Sequence, residues 1–303
     1  MTDSDPTLAS LQEARRQFAI LVAAVRPDLH RYCARMTGSV IDGEDVVQDT
    51  LARAFYELSG LKEPPAMRGW LFRIAHNRAL DSLRRYERRM TEPLAEQLDG
   101  HAAEGVEPDE KLMRNEAIEV AMARFLELPS TQRSCVILKD VLDSPLTEIA
   151  ELLGISVLAV KAALHRGRSR LHALSLASPE VAQARPPSPA VRKYAELFNA
   201  RDWDAVRAML RDDVRLDVVG ATRKVGREKV GVYFTNYAGR PNWHMVPAWL
   251  DGTEGLAVVA HAGDQQVLHF ITLESEGGAI SAIRDFYHVP YFTAHAQVRF
   301  ASV

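Results

Sequence analysis

The chain has few cysteines, no long apolar run and no strong excess of charge. Among 303 residues only Cys33 and Cys135 are cysteines, and they lie in separate helical patterns. The sequence therefore predicts two buried reduced thiols rather than a disulfide or a zinc site. No apolar stretch approaches the roughly 18 residues that a membrane span needs, and the first residues lack the features of a signal peptide. We expect a cytoplasmic protein with no metal, cofactor or membrane partner.

Charge is unevenly distributed along the chain, although the formal net charge is only -3. Residues 42–49 are acidic, whereas residues 68–89 are rich in arginine. Asp45, Gln48 and Asp49 recur at helical spacing, so one helix face presents carboxylates and an amide outward. Such a face repels DNA and suits a basic or polar protein groove. A solvated acidic face is the alternative interpretation.

Residues 146–171 have the pattern of a helix-turn-helix. Gly154 lies between two apolar helical patterns, and Ser156 is placed to cap the second helix. That helix carries basic side chains suited to phosphates and guanine edges in the major groove. The candidate DNA contacts are Ser156, Lys161, His165, Arg166 and Arg168. A solvated basic helix in an all-helical domain is the alternative.

Proline, glycine and polar residues divide the chain into five stretches. Residues 1–90 and 110–178 have helical patterns, and the polar residues 91–109 between them predict a flexible linker. Three prolines in four residues make residues 179–190 a second linker. Residues 191–303 then predict an α+β domain. Its expected elements are helices at 191–199, 203–210 and 226–237 and strands at 214–219, 256–261, 267–273 and 280–289.

The two helical blocks together resemble the extracytoplasmic-function sigma factors of bacterial RNA polymerase. Residues 42–55 resemble the region 2 helix that docks on the clamp of core polymerase. Residues 68–85 resemble the helix that melts and reads the minus-10 element, and residues 146–171 resemble the minus-35 reader of region 4. The resemblance implies a multidomain protein with two all-α sigma-factor domains. Its partners would be promoter DNA and the clamp and flap of core RNA polymerase, and the chain itself would not be an enzyme.

The resemblance assigns core docking to the Asp45, Gln48 and Asp49 face and minus-10 contacts to an aromatic and basic helix. Its candidate residues are Arg68, Trp70, His76, Asn77, Asp81, Arg84 and Arg85. Opened DNA needs stacking and basic groups close together, although Trp70 also suits a core position. In region 4, alanines replace polar residues that are common in the family's recognition helix, which predicts weaker or narrower minus-35 contact. Those alanines are Ala159, Ala162 and Ala163.

Residues 191–292 resemble the SnoaL-like branch of the NTF2-like fold, a cone of curved sheet around a long helix that encloses a pocket. In some sigma factors of this group, such a fused domain replaces a separate anti-sigma protein as regulator. The expected pocket, with a small-molecule ligand as one interpretation, contains Tyr194, Trp203, Asp217, His244, Arg284, Phe286 and His288. In the last strand Asp285 and Tyr287 share the opposite face from Arg284, Phe286 and His288. Only one of these faces can line the pocket.

Two other functions fit parts of the sequence. A ligand-sensing helix-turn-helix regulator would bind duplex DNA without polymerase, but it leaves the acidic helix and the following aromatic and basic helix unexplained. An NTF2-like isomerase or cyclase with a DNA-binding appendage would need an evident acid–base pair, which the sequence does not indicate. The sequence therefore favours a sigma factor whose activity is modulated by its last domain.

Overall fold

The computed structural model of the protein describes residues 6–58, 66–91, 124–175, 186–250, 253–262, 266–294, 296 and 298–301. Most of the first expected linker, residues 92–109, lies outside the described residues, as do residues 179–185 of the second. The chain forms two compact units. Of the described residues, those between 6 and 175 form the first unit and those from 186 onward form the second.

The first unit is helical, as the sequence predicts. Its first elements are α1 (Pro6–Thr37), α2 (Val40–Leu58) and α3 (Met67–Thr91). Gly38 turns the chain after α1 with a φ of +78°, a conformation that favours glycine. Helices α1 and α2 approach closely at Gly43, where an added Cβ would lie 2.5 Å from the backbone nitrogen of Ala34. A larger residue at position 43 would therefore push the two helices apart.

The remaining elements of the first unit contain the expected helix-turn-helix. They are α4 (Ser130–Val136), a π-helical turn (Ile137–Val141), α5 (Leu146–Leu153) and α6 (Val157–Ser175). Gly154 ends α5 with a φ of +65°. The Oγ atom of Ser156 accepts a hydrogen bond from the backbone N–H of Ala159 at 3.1 Å. The left-handed turn and the helix cap predicted from the sequence are both present.

The two helical blocks share one apolar core. Tyr32 of α1 and Cys135 of α4 are both fully buried within it. The hydroxyl oxygen of Tyr32 lies 2.7 Å from Nδ1 of His76 in α3 and 3.2 Å from Oγ of Ser134 in α4. Both cysteine thiols are free and buried, as the sequence predicts. The pattern of each block identifies only its own apolar face, so their common core is not evident from the sequence.

Buried Arg133 joins the blocks through backbone carbonyls. Its guanidinium donates to the carbonyl oxygens of Met36 at 2.6 Å, Leu126 at 2.8 Å and Leu128 at 3.0 Å. Because Met36 belongs to α1, one side chain ties that helix to the turn before α4. Three donated hydrogen bonds are the kind of partnership that allows an arginine to be buried.

The second unit is α+β, as predicted, and its sheet has seven strands among the described residues. Its helices are α7 (Pro189–Asn199), α8 (Trp203–Ala208), α9 (Arg227–Gly231), α10 (Phe234–Ala238) and α11 (Tyr291–Ala294). Its strands are β1 (Leu210–Val218), β2 (Thr222–Val225), β3 (His244–Leu250), β4 (Thr253–Val259), β5 (Val267–Glu276), β6 (Ala279–Asp285) and β7 (Val298–Phe300). The strand order is β2-β1-β6-β5-β4-β3-β7. Only the β1–β6 pair is parallel among these neighbours.

Two predicted elements of the second unit are wrong. The single helix expected at residues 226–237 is two short helices, because the chain turns tightly where the N–H of Tyr233 bonds to the carbonyl of Val230 at 2.9 Å. The strand expected at 280–289 ends at Asp285. There the N–H of Tyr287 bonds to Oδ1 of Asp285 at 2.9 Å, which replaces a ladder hydrogen bond by a local turn.

Candidate nucleic-acid interface and C-terminal cavity

Helix α2 presents an acidic face to solvent. Asp45 and Asp49 are exposed, and Gln48 between them is half-buried. Glu44, which the sequence places in the same acidic stretch, is instead fully buried and pairs with Arg26. Folding therefore removes one carboxylate from the surface. The remaining exposed carboxylates form a compact negative patch on one helix.

Helix α3 carries four of the predicted minus-10 residues on one exposed surface. Asn77, Asp81, Arg84 and Arg85 are all exposed, at positions separated by four, seven and eight residues from the first. Arg84 lies 3.6 Å from the Asp81 carboxylate, and Nε of Arg85 donates to the Asp81 carbonyl at 3.4 Å. These contacts between exposed groups are weak. The two guanidinium groups are therefore accessible to an anionic partner.

The other three predicted minus-10 residues are engaged within the first unit. Arg68 is exposed but lies 2.9 Å from the Asp28 carboxylate. Trp70 is half-buried and lines a cavity of about 530 Å³ between α3 and α5. His76 bonds to Tyr32, and burial lowers the pKa of its imidazole, so the ring is neutral at neutral pH. The structure thus divides the predicted site into four side chains on one exposed surface and three that contact other residues of the first unit.

The recognition helix α6 presents Lys161, His165 and Arg166 to solvent. Arg168 is exposed as well, but it forms a two-bond contact with the carboxylate of Asp140, at 3.0 and 2.5 Å, which raises the pKa of its guanidinium. Since Asp140 lies in the π-helical turn, this contact joins α6 to that turn and neutralises part of the charge of the guanidinium. Ser156 is exposed, with its hydroxyl engaged in the helix cap.

Leu158 is a surface residue of α6 that the sequence interpretation missed. Its side chain is 78% exposed. It lies three residues before Lys161 and seven before His165, so these side chains share one helix face. Val160 and Leu164 are buried and define the opposite face. The position of Leu158 away from these two apolar residues could have indicated from the sequence that it is exposed. An exposed apolar group beside cations can contact thymine methyl groups in a major groove.

The second unit encloses a cavity of about 360 Å³. It is lined by Val218, Ala221, Thr222, Tyr233, Asn236, Tyr237, Arg240, Trp243, Asp285, Tyr287 and His288. Of the pocket residues expected from the sequence, His288 alone belongs to this lining. Asp285 at the end of β6 and Tyr287 just beyond it line the cavity, whereas Arg284 and Phe286 do not.

The remaining expected pocket residues have structural contacts elsewhere. Tyr194 is fully buried in the core, and Trp203 packs edge to face on Phe198 with 5.2 Å between ring centroids. Asp217 lies 3.3 Å from Arg223 and 4.0 Å from Arg284. These residues were expected in the pocket because they are aromatic or titratable, but packing and ion pairing account for them.

Two further residues of the expected pocket set also lie away from the cavity. Nδ1 of His244 bonds to the Asn242 carbonyl at 2.8 Å. Phe286 stacks on Phe292 at 3.9 Å between ring centroids. Both side chains stabilise loops and core packing around the sheet.

The cavity instead contains a buried network that sequence reasoning missed. The phenols of Tyr233 and Tyr237 each donate to Oδ2 of Asp285 at 2.6 Å. Burial and the Asp285 charge raise the pKa of both phenols well above the usual value, so they stay protonated. Nε2 of His269 lies 3.0 Å from the Tyr237 oxygen, and burial lowers the pKa of this histidine. The four-residue spacing of the tyrosines could have indicated from the sequence that they lie close together. Nothing in the sequence indicates that they contact Asp285.

Among the residues that the structure describes, no helix is long and apolar enough to cross a lipid bilayer. The same residues contain no group of three or more histidine, cysteine or acidic side chains arranged to hold a metal ion.

Comparison with known proteins identifies the two helical blocks. Residues 21–89 match the model of Sigma-70 region 2, and residues 119–171 match the model of Sigma-70, region 4. The chain is 25% identical to the ECF RNA polymerase sigma factor SigG of Mycobacterium tuberculosis, over 92% of this chain and 77% of that protein. It is 31% identical to SigW of Bacillus subtilis, over 51% of this chain and 86% of that protein.

One solved structure is also similar to this chain. The extracytoplasmic-function sigma factor SigJ of Mycobacterium tuberculosis is 21% identical, with a TM-score of 0.35 over 89% of this chain and 96% of that one. The family assignment depends on the ordered region matches and on the extent of the SigW alignment. The chain belongs to the extracytoplasmic-function sigma factors, the subunits that bind core RNA polymerase and direct it to promoters.

Proposed function

We propose that this sigma factor divides its function among three parts of the chain. Residues 1–90 serve as region 2, residues 110–178 as region 4 and residues 191–303 as a regulatory domain. Residues 91–109 and 179–190 connect them. The protein acts in the cytoplasm, where core polymerase and promoters are found, and it contributes specificity rather than catalysis.

The acidic face of α2 docks on the clamp of core polymerase. The support is the exposure of Asp45 and Asp49 on one helix, with Gln48 between them. A carboxylate patch repels DNA and attracts a basic protein groove. Glu44 is buried in an ion pair with Arg26 and adds no charge to this patch. The patch therefore depends on the exposed carboxylates alone.

The exposed surface of α3 acts on the opened minus-10 element. The observation that carries this proposal is the clustering of Asn77, Arg84 and Arg85 on one exposed helix surface. Guanidinium groups bind backbone phosphates, and an amide can read a base edge. Trp70 lines a cavity together with residues of the region 4 block, and His76 lies 3.4 Å from Ser134 of that block. A contribution of these two residues to minus-10 binding therefore requires the two blocks to separate.

Helix α6 binds the minus-35 element through Lys161, His165 and Arg166, and the region 4 block contacts the polymerase flap. The support is that these side chains are exposed on a helix with a capped amino terminus. Ser156 acts chiefly as the cap, and Arg168 acts through its contact with Asp140. Leu158 adds apolar contact on the same face.

The second unit modulates transcription and takes a small molecule in its cavity. The support is a cavity of about 360 Å³ with a buried hydrogen-bond network at Asp285. A domain joined to its neighbours by a short proline-rich segment has a high local concentration beside them. Weak contacts or ligand-dependent changes can then bias promoter binding.

Transcription in vitro with purified core polymerase tests these assignments. The full chain should direct promoter-specific transcripts, and residues 1–185 should still bind core polymerase but give altered transcript levels at matched concentration. Equal transcript levels across several promoters would contradict the regulatory assignment. Specific binding to duplex promoter without polymerase, with no transcript, would instead favour a duplex-binding regulator.

A further inference from the structure

The cavity of the second unit has aromatic walls. The ring centroids of Tyr237 and Tyr287 lie 5.9 and 5.8 Å from the ring centroid of Trp243. All three residues line the cavity, and Trp243 and Tyr287 are only partly covered by the protein. Partly exposed rings around a concave space provide stacking and edge contacts for a planar ligand.

The same cavity has a cation on its solvent side. Arg240 is exposed and lies over Trp243, with 4.4 Å between the guanidinium carbon and the ring centroid. None of the carboxylates in the described part of the chain lies within ion-pair distance of Arg240. His288 lines the cavity and is exposed as well. Nη2 of Arg240 donates a long hydrogen bond of 3.5 Å to the Tyr287 hydroxyl. Stacking on the Trp243 ring and this contact hold the guanidinium in place and leave its other N–H groups available to an anion.

The buried carboxylate of Asp285 does not need a cationic ligand to stabilise its charge. Oδ2 of Asp285 accepts hydrogen bonds from Tyr233 and Tyr237, and its Oδ1 accepts one from the N–H of Tyr287. Three donors already stabilise this charge. An amine would have to displace one of them and would also face the positive charge of Arg240.

We propose that this cavity binds a planar aromatic acid, with its rings against Trp243 and Tyr287 and its acid group beside Arg240. The inference deepens the proposal that the second unit takes a small molecule, and it rests on that proposal. The volume of about 360 Å³ lies within the range typical of small-molecule sites. The aromatic walls supply binding energy, and the guanidinium selects the charge of the ligand.

Fluorescence titration of the full chain with two matched probes tests this inference. Anilinonaphthalene sulfonate is an aromatic anion, and phenylnaphthylamine has the same rings without the sulfonate. The Arg240→Gln variant should bind the sulfonate about tenfold more weakly, because a charge-assisted contact is lost. Its affinity for the neutral probe should change less than about twofold. The Arg240→Lys variant should retain most of the affinity for the sulfonate.

Two further variants locate the binding. Trp243→Leu should weaken both probes, because the ring is removed. Arg215→Gln changes an arginine that pairs with Glu274 at 3.2 Å and does not line the cavity, so it should change neither. Sulfonate binding unaffected by Arg240→Gln, or equal loss of both probes in that variant, would overturn the ligand class alone. If the unaltered chain binds neither probe, the ligand class and the small-molecule site both fail.

Discussion

Arg133 shows how much one side chain can contribute to a core that two sequence blocks share. Its guanidinium satisfies three backbone carbonyls, including that of Met36 in α1. We expect Arg133→Ala to lower the free energy of unfolding by about 3 kcal/mol, because buried acceptors lose charged donors. Urea unfolding of the full chain, followed by far-ultraviolet circular dichroism, measures the change.

The matched control for Arg133 is Arg53→Ala in α2. Arg53 is exposed and lies 2.7 Å from Glu57 one helical turn away. Its removal should cost less than about 0.5 kcal/mol. A loss at Arg133 as small as that at Arg53 would show that water replaces the guanidinium and that the three hydrogen bonds contribute little.

His269 makes stability depend on pH. Burial lowers the pKa of its imidazole, more strongly than the Asp285 charge raises it. In the unfolded chain a histidine binds a proton near pH 6.5, whereas folded His269 stays neutral to lower pH. The unfolded state therefore binds more protons as the pH falls below about 6.5, and the free energy of unfolding falls by up to about 1.4 kcal/mol per pH unit.

Unfolding curves at neutral and mildly acidic pH measure this dependence. The His269→Gln variant should have a flatter dependence than the unaltered chain, because the titrating group is gone. Exposed His165 gives the control, since His165→Gln should keep the original slope. Identical slopes for all three proteins would exclude His269 as the source.

At the scale of elements, the face of α2 gives a prediction about assembly. Asp45→Arg combined with Gln48→Ala should abolish binding to core polymerase, because it replaces a carboxylate by a cation in the surface that we propose docks on a basic groove. Asp45 is exposed and Gln48 is half-buried, and the fold should remain intact because surface substitutions seldom cost more than about 0.5 kcal/mol of stability. A pull-down with core polymerase, accompanied by circular dichroism, is the measurement. Arg53→Ala on the same helix should bind normally, and normal binding by the folded double variant would contradict the docking face.

The exposed surface of α3 gives a prediction about DNA opening. Replacement of Asn77, Arg84 and Arg85 by alanine should reduce the permanganate reactivity of minus-10 thymines while the polymerase complex still assembles. Arg53 is an exposed arginine of α2 that lies outside this surface, so Arg53→Ala is the control. If strand opening is unchanged in the triple variant, these side chains form only a solvated helix face and take no part in opening the DNA.

Elements that depend on neighbouring residues were predictable from the sequence, whereas elements that depend on distant partners were not. The turn at Gly154 and the cap at Ser156 follow from local chemistry and are present. Strand β3 contains Pro247 and was not predicted, although it pairs with both β4 and β7. The cavity was missed for the same reason. Its phenols and Asp285 are about fifty residues apart, and only the sheet brings them together.

At the scale of the whole molecule, the regions recognised separately in the sequence form one compact unit. Residues from both blocks belong to one buried cluster that includes Leu71 and Ile137. Such a unit should unfold cooperatively. Hydrogen exchange at increasing urea concentration should show α2 and α6 losing protection together. The Arg133→Ala variant should shift both helices equally. Loss of protection at two distinct urea concentrations would show that the blocks are independent domains in solution.

The rate at which the two buried cysteines react should measure how fast the shared core opens. Burial raises the pKa of the Cys33 thiol far above its usual range and that of Cys135 to about 11, so almost no reactive thiolate forms while the core is closed. An alkylating reagent in excess can modify either thiol only as fast as the core opens. Equal labelling rates at the two cysteines would mean that α1 and α4 part in one event. A faster rate at one of them would identify the block that leaves first when polymerase or DNA is added.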